Sequence, residues 1–376
     1  MSTAMTLLYT LPLAAAPNFD LGPHDLGSGP TYAVAVGDVD QNSYDDVVTG
    51  NITTHPNVIF LGGISPCSDR LVTWAALDGS SAAFPDGNNT HDVQLADLNG
   101  DPYPDLIVGN NRSANYVYLN QGVAEARWNG FGAQPGHVFG DASSYTWALT
   151  TGDLNHDHRV DLIEGRNNGQ STLVWVGLGD GTFRATPFDL GDATDTHGVA
   201  VGDFDGNGLL DVATGNHGEN KVHLQQERGV LTFGLAGVAR TTGIVAADLD
   251  GNPWTDLAVA NDGSPDLVLL SRGDGTFTSI PLNGESDRST SIAAGDLNGD
   301  LATDLVITHM LAAGSTVWVN DGVGGFPPEL ASTHSTGDTY DAAIGDVNFD
   351  LKMDWVAGNR NGACGAPSTF WLNSTP

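Results

Sequence analysis

Positive charge is what this chain has least of. Of its 376 residues only 13 are Lys or Arg, against 46 Asp or Glu, for a net charge of −33. Such a surface repels the phosphates of nucleic acids and anionic lipid headgroups, so neither nucleic acid nor membrane insertion is expected. Only two cysteines occur, Cys67 and Cys364, too few for a disulfide framework. No apolar run reaches the roughly 18 residues of a membrane-spanning helix. No glycine-rich dinucleotide fingerprint, P-loop, reactive-cysteine context or Gly-x-Ser-x-Gly elbow is present, which argues against redox, nucleotide and serine-hydrolase chemistry. A basic start is also missing. The first Lys or Arg is Arg70, so the apolar stretch 7–16 lacks the opening of a signal peptide.

What the chain does have is one acidic motif, seven times over. Its first Asp stands at Asp38, Asp97, Asp153, Asp203, Asp248, Asp296 and Asp346, at separations of 59, 56, 50, 45, 48 and 50 residues. Position 3 is Asp40, Asn99, Asn155, Asp205, Asp250, Asn298 and Asn348; position 5 is Asn42, Asp101, Asp157, Asn207, Asn252, Asp300 and Asp350. Position 9 is always Asp: Asp46, Asp105, Asp161, Asp211, Asp256, Asp304 and Asp354. Oxygen-bearing side chains at alternate positions of a tight loop can all turn inward, as a hard cation wanting six to eight oxygens at about 2.4 Å requires. Gly206 and Gly208 supply the positive φ such a loop needs. Apolar residues flank each loop with no helical period, which reads as strand, loop, strand. Three carboxylates per loop account for 21 of the 46 acids, and seven bound Ca2+ ions would cancel up to 14 charges.

A repeat of strands and turns at this spacing implies a radial or solenoid array. The loops, the Asp-Leu/Val-x-x-Gly-Asn runs at Asp105–Asn110 and Asp211–Asn216, and Gly-Asp-Gly-Thr-Phe at Gly179–Phe183 and Gly273–Phe277 resemble the FG-GAP/VCBS calcium-loop β-propeller, the class that includes the integrin α-subunit head. The resemblance covers nearly the whole chain. It implies an all-β, seven-bladed propeller over residues 1–376 with structural Ca2+ in loops 38–46, 97–105, 153–161, 203–211, 248–256, 296–304 and 346–354. Cys67 and Cys364 would then lie on opposite faces, unbonded. The chain stops after a third strand, Thr369–Leu372, while Ala15–Gly22 resembles the fourth strand of the third blade, Arg184–Gly191. Residues 1–28 are therefore expected to close the ring as the last blade's outer strand. Loops of modest calcium affinity suit a calcium-rich, extracellular setting. The fold specifies no function, because propellers carry many.

Function is sought where the repeats disagree, since positions the fold needs should match across copies. Six residues before each loop stand Tyr32, His91, Trp147, His197, Thr242, Thr290 and Tyr340, each preceded by Thr or Ser. The next residues include Asp92 and Asp341. Five residues beyond each loop, five copies carry Asn and two depart, with Arg166 and His309; the following position adds Asn111, Asn167, His217, Asp262 and Arg360. These positions are expected at one axial mouth, opposite the metal loops, as one asymmetric site. His91 and Asp92, adjacent in a strand, should point to opposite sides. His91 with Tyr32 and His197, or with Asp341, is the more plausible grouping.

Two readings of the mouth follow. In the first, a cofactor-independent lyase, isomerase or cyclase acts on a sugar-like or small oxygenated substrate. His91 and His197 serve as acid and base, Tyr32 or Tyr340 as proton partner, Asp341 in support, and Arg166 or Arg360 as anion clamp. In the second, the mouth is a carbohydrate-binding lectin or adhesion site, with Trp147 and the tyrosines as stacking platforms and Asp92, His217, His309, Asn111 and Asn167 as polar contacts. Several histidines with Asp92 or Asp341 could also hold an additional divalent metal.

Overall fold

The computed structural model describes residues 24–26, 30–52, 55–62, 75–76, 89–124, 127–132, 135–191, 194–226, 229–282, 288–310, 314–328, 332–334, 338–360 and 368–373. All regular elements are antiparallel strands. Blade 6 shows the plan from axis to rim. Strand A is Ser289–Gly295, B is Asp304–His309, C is Ser315–Trp318 and D is Ser332–His334, paired in that order. Among the described residues the A–B hairpin with its nine-residue loop occurs seven times in the same register. In blades 4 and 5 the strands run together. Asp211–Gln226 serves as both B and C of blade 4, and Gly229–Ala247 as its D and as A of blade 5, giving one six-stranded sheet.

The ring closes. Each A strand touches the A strand of the next blade, and Thr339–Gly345 returns to Thr31–Gly37. The core is divided in the same way, into seven apolar clusters that each lie between consecutive blades. Ile59 and Leu106 pack between blades 1 and 2, and Phe60, Val356 and Phe370 between blades 1 and 7. B strands are buried along their whole length, which is why they are mostly apolar after the opening Asp. The last blade takes its fourth strand from the N-terminal segment: His24–Asp25 pairs with Thr369–Trp371, and Leu26 N donates to Ser368 O at 2.8 Å. The closing strand was expected from residues 1–28, but the stretch that suggested it, 15–22, lies outside the described residues, as do Cys67 and Cys364.

The loop's last Asp is fully buried in every copy and ties its blade together. One carboxylate oxygen accepts the N–H of loop position 2, and the other accepts an N–H at the end of strand C. For Asp211 these donors are Phe204 at 2.8 Å and Gln225 at 2.7 Å; for Asp304 they are Leu297 at 3.0 Å and Asn320 at 2.8 Å. The other five copies repeat the pair. Position 4 is left-handed in all seven loops, with Gly in four and Gln41, His156 and Phe349 in the others.

Asp211→Ala, studied in EDTA so that no metal contributes, strands two buried N–H groups. Each costs about 1–3 kcal/mol. The denaturation midpoint is expected to fall at unchanged slope, and an unmoved midpoint refutes the tie.

Candidate functional site at the axial mouth

Every A strand opens with a β-bulge. In blade 1, Thr31 pairs with Asn51 and Ala33 with Gly50, which leaves Tyr32 as the extra residue; the same shift falls at His91, Trp147, His197, Thr242, Thr290 and Tyr340. The hydroxyl before each bulge anchors it. Thr31 Oγ1 donates to Asn51 Oδ1 at 2.8 Å, and Thr90, Thr196, Thr241 and Thr339 do the same to Asn110, Asn216, Asn261 and Asn359. The bulges turn both the extra residue and the next one toward the axis. His91 and Asp92 therefore line one cavity, against the expectation from strict alternation.

That cavity, about 780 Å³, is lined by all seven bulge residues. Six rings form an arc along its wall. Tyr340 to Tyr32 is 4.3 Å between centroids, Tyr32 to His91 is 4.9 Å, His91 to Trp147 and Trp147 to His197 are each 4.3 Å, and His197 stacks on His217 at 3.6 Å. Thr242 and Thr290, on the other side, are held by backbone carbonyls. Two amides steady the imidazoles: Asn111 Nδ2 lies 3.3 Å from His91 Nε2, and Asn167 Nδ2 lies 3.1 Å from His197 Nε2.

Several expected members stand elsewhere or are already engaged. Arg166 and His309 do not line the cavity. They stand where the other blades have the anchoring Asn and are held there: Arg166 Nε donates to Ser171 O at 2.6 Å, as Asn51 Nδ2 donates to Pro56 O, and His309 Nδ1 lies 3.3 Å from Ser289 Oγ, which itself donates to Asp266. In blade 3 the hydroxyl of Thr146 turns instead to the buried Glu164. Asp92 and Asp341 line the channel but tie neighbouring blades. Asp92 accepts from Leu149 N, and Asp341 accepts from Val34 N at 2.8 Å and Ser291 Oγ at 2.7 Å. Arg360 lies at the rim, its guanidinium 5.5 Å from the centroid of Tyr32 and donating to the Tyr340 hydroxyl. Trp147 separates His91 from His197. Among the described residues, every group of three convergent metal-binding side chains lies in the loops, so no additional metal set assembles at the mouth.

Comparison of the repeats missed one further ring, eight residues before each loop. It contributes Asp195, Arg240 and Arg288 to the cavity. Arg240 and Arg288 flank Asp262, at 3.2 and 3.0 Å. The same internal comparison, carried two residues further back, would have exposed it.

Burial sets the protonation of the mouth. Desolvation, then the charges of His217, His91 and Arg240, push His197 down to about 2; desolvation and Arg360 push His91 down to about 4. His217 is lowered by burial and then by Arg240. Burial and Tyr340 push Tyr32 up to about 12. Asp92 rises to about 8, through burial and the nearby Asp341, which itself rises to about 6 through burial.

The opposite end of the A strands presents the loops. Carboxylate oxygens of Asp38, Asp40 and Asp46, of Asp203, Asp205 and Asp211, and of Asp248, Asp250 and Asp256 lie within 4.8 Å of one another in each set. These are the three loops with Asp at position 3. Elsewhere Asp and Asn exchange positions 3 and 5, so every loop keeps three carboxylates. Hard, convergent oxygens of this kind fit Ca2+.

Fold and loops together define a β-propeller built from acidic-loop repeats. Residues 97–164, 165–214, 203–259 and 248–307 match the FG-GAP-like repeat, and the chain belongs to that family. No curated protein matches it by sequence. Among solved structures it is similar to the BP39L lectin of Burkholderia pseudomallei, at 14% identity and TM-score 0.64 over 93% of this chain and 97% of that one. An Agrocybe aegerita lectin solved for its recognition of non-reducing terminal N-acetylglucosamine shares 17% identity at TM-score 0.50, over 89% and 87% of the two chains. BBS1N, solved in complex with ARL6DN, shares 12% at TM-score 0.58 over 97% of each chain. At these identities the likeness is one of fold.

Asp92→Asn tests the channel electrostatics. An acid whose folded-state pKa rises from about 4 to about 8 loses stability progressively as pH climbs through that window. Asn keeps an oxygen for Leu149 N and removes the titration. The variant should match the wild-type melting temperature near pH 4 and exceed it at pH 8.5; equal melting at both refutes the buried charge.

Proposed function

We propose that the protein is a carbohydrate-binding module whose ligand sits at the axial mouth. One observation carries this reading: the unbroken arc of Tyr340, Tyr32, His91, Trp147, His197 and His217 beside a cavity of about 780 Å³. Ring faces receive the C–H faces of a sugar, and nearby amides and imidazoles can pair with its hydroxyls. The arc does not repeat around the axis, so one ligand per propeller is expected. The two lectins of similar fold support the reading, and residue contacts are not carried over from them.

The acid–base alternative is weaker on physical grounds. A general base works best with a pKa near the operating pH. Buried imidazoles at about 4 and about 2 stay neutral and hold protons poorly, and a tyrosine at about 12 gives its proton up reluctantly. Of the two arginines expected as anion clamp, Arg166 is held by Ser171 O away from the cavity and Arg360 donates to the Tyr340 hydroxyl at the rim.

Ca2+ in the loops has a structural role in this reading. The loops stand at the far end of A strands seven residues long, about 20 Å from the mouth. A calcium-rich, extracellular setting suits them.

A glycan array with wild type and Trp147→Ala tests the ligand class. Wild type should retain a restricted set of glycans, and the variant should lose at least about tenfold in affinity with its melt preserved. His91 and His197 stay neutral from pH 8 to pH 5, so any change in binding across that range should follow the channel carboxyls Asp92 and Asp341 and be reduced in Asp92→Asn. A pH dependence that Asp92→Asn leaves unchanged, or conversion of the bound glycan, contradicts a binding-only mouth. Chelation with confirmed metal removal should lower the melting temperature, since a metal that binds only the folded state stabilises it; an unchanged melt argues against structural calcium.

A further inference from the structure

A second cavity of about 310 Å³ opens on the same face, between blades 2 and 3. Its walls carry Asn89, Asn111, Arg112, Tyr145, Trp147 and Asn167. Trp147 and Asn167 also line the axial cavity, so the two spaces share a partition. The amides that face this second space are the ones that hold the mouth imidazoles, Asn111 on His91 and Asn167 on His197. Within the partition, His91 Nδ1 and Asn111 Oδ1 are buried without a hydrogen-bond partner. A polar atom left so is costly. A ligand hydroxyl reaching this amide would pair its oxygen, in exchange for the contact of its nitrogen with His91.

Charge then narrows the ligand. The arginines of the mouth are engaged, Arg240 and Arg288 by Asp262 and Arg360 by the Tyr340 hydroxyl, and so is Arg166 beyond it, by Ser171 O. Arg112 differs. Among the described residues its guanidinium makes neither an ion pair nor a hydrogen bond, and it lies 5.5 Å from the centroid of Tyr145. An aromatic face beneath a guanidinium fixes its plane and leaves its edge free for a carboxylate. In a chain of net charge −33, a cation left uncompensated beside amides and aromatic rings is aimed outward, at a ligand.

We propose that the pocket between blades 2 and 3 is a second saccharide subsite that takes a carboxylate-bearing sugar, a uronic or sialic acid, with Arg112 as the carboxylate partner. It rests on the carbohydrate reading of the mouth and extends it: the ligand is at least a disaccharide, one residue on each side of Trp147, and acidic at one end.

Titration calorimetry with two acidic and neutral pairs tests this, sialyllactose against lactose and digalacturonic acid against its dimethyl ester. The acidic member of at least one pair should bind about tenfold tighter at low salt and lose that advantage at 500 mM NaCl. Arg112→Gln should bring the acidic member down to the level of its neutral partner, whereas Trp147→Ala weakens both. Equal affinities within both pairs, or an acidic preference that survives Arg112→Gln, overturn the subsite and leave the mouth standing. A glycan array of neutral and acidic sugars that retains nothing overturns the carbohydrate reading and the subsite with it.

Discussion

The structure depends on a carboxylate that water cannot reach. Each loop ends in a buried Asp whose two oxygens accept N–H groups from the start of the loop and from the end of strand C. Those donors come from segments separated along the chain, and in the apolar interior of a blade they have few other acceptors. One side chain therefore closes the hairpin, fixes where strand C ends and anchors the acidic loop. Burying a charge is costly on its own, and burial pushes these groups up, Asp211 and Asp256 to about 6. A divalent cation facing the same carboxylates would offset that cost, which links the acidity of the chain to the rigidity of the ring.

At the other end of the same strands the physics is reversed. There the Thr–Asn anchor holds a bulge, and the bulge holds a side chain the blade does not use for packing. Seven such positions surround one axis, so whatever occupies them becomes a common wall. Five rings from the bulges, with His217 stacked at the end, form a continuous surface, while Thr242 and Thr290 leave the opposite side open. The rings also desolvate one another, and the imidazoles lose the proton affinity they would have in water. The crowding that builds a flat apolar platform is what makes these histidines poor at proton transfer.

Repetition made the fold legible. Seven copies of one Asp pattern specified strands, turns and acidic loops, because each copy obeys the same local chemistry. The Thr before each bulge and the Asn beyond each loop were readable as structural for the same reason. Arg166 and His309 misled because a departure from a repeated residue can still do that residue's work. Arg166 Nε takes over the Asn's donation to a backbone carbonyl, and His309 Nδ1 keeps the contact with the hydroxyl before the bulge. Arg240 and Arg288 went unseen because they lie two residues outside the positions compared, and Arg112 because its neighbours come from the next blade.

The sequence by itself determined the blade: its strand order, its acidic loop and the six-residue step from the bulge to the loop's first Asp. Those features rest on contacts within about fifty residues, which local patterning encodes. Only the tertiary structure decided the site. It placed Trp147 between two histidines from different blades, turned Asp92 beside His91 through a bulge, and spent Asp341 on Val34 across the closure of the ring. Contacts between blades are set by how far each blade rotates about the axis and by the extra residue in each A strand, and neither quantity is written in any one repeat.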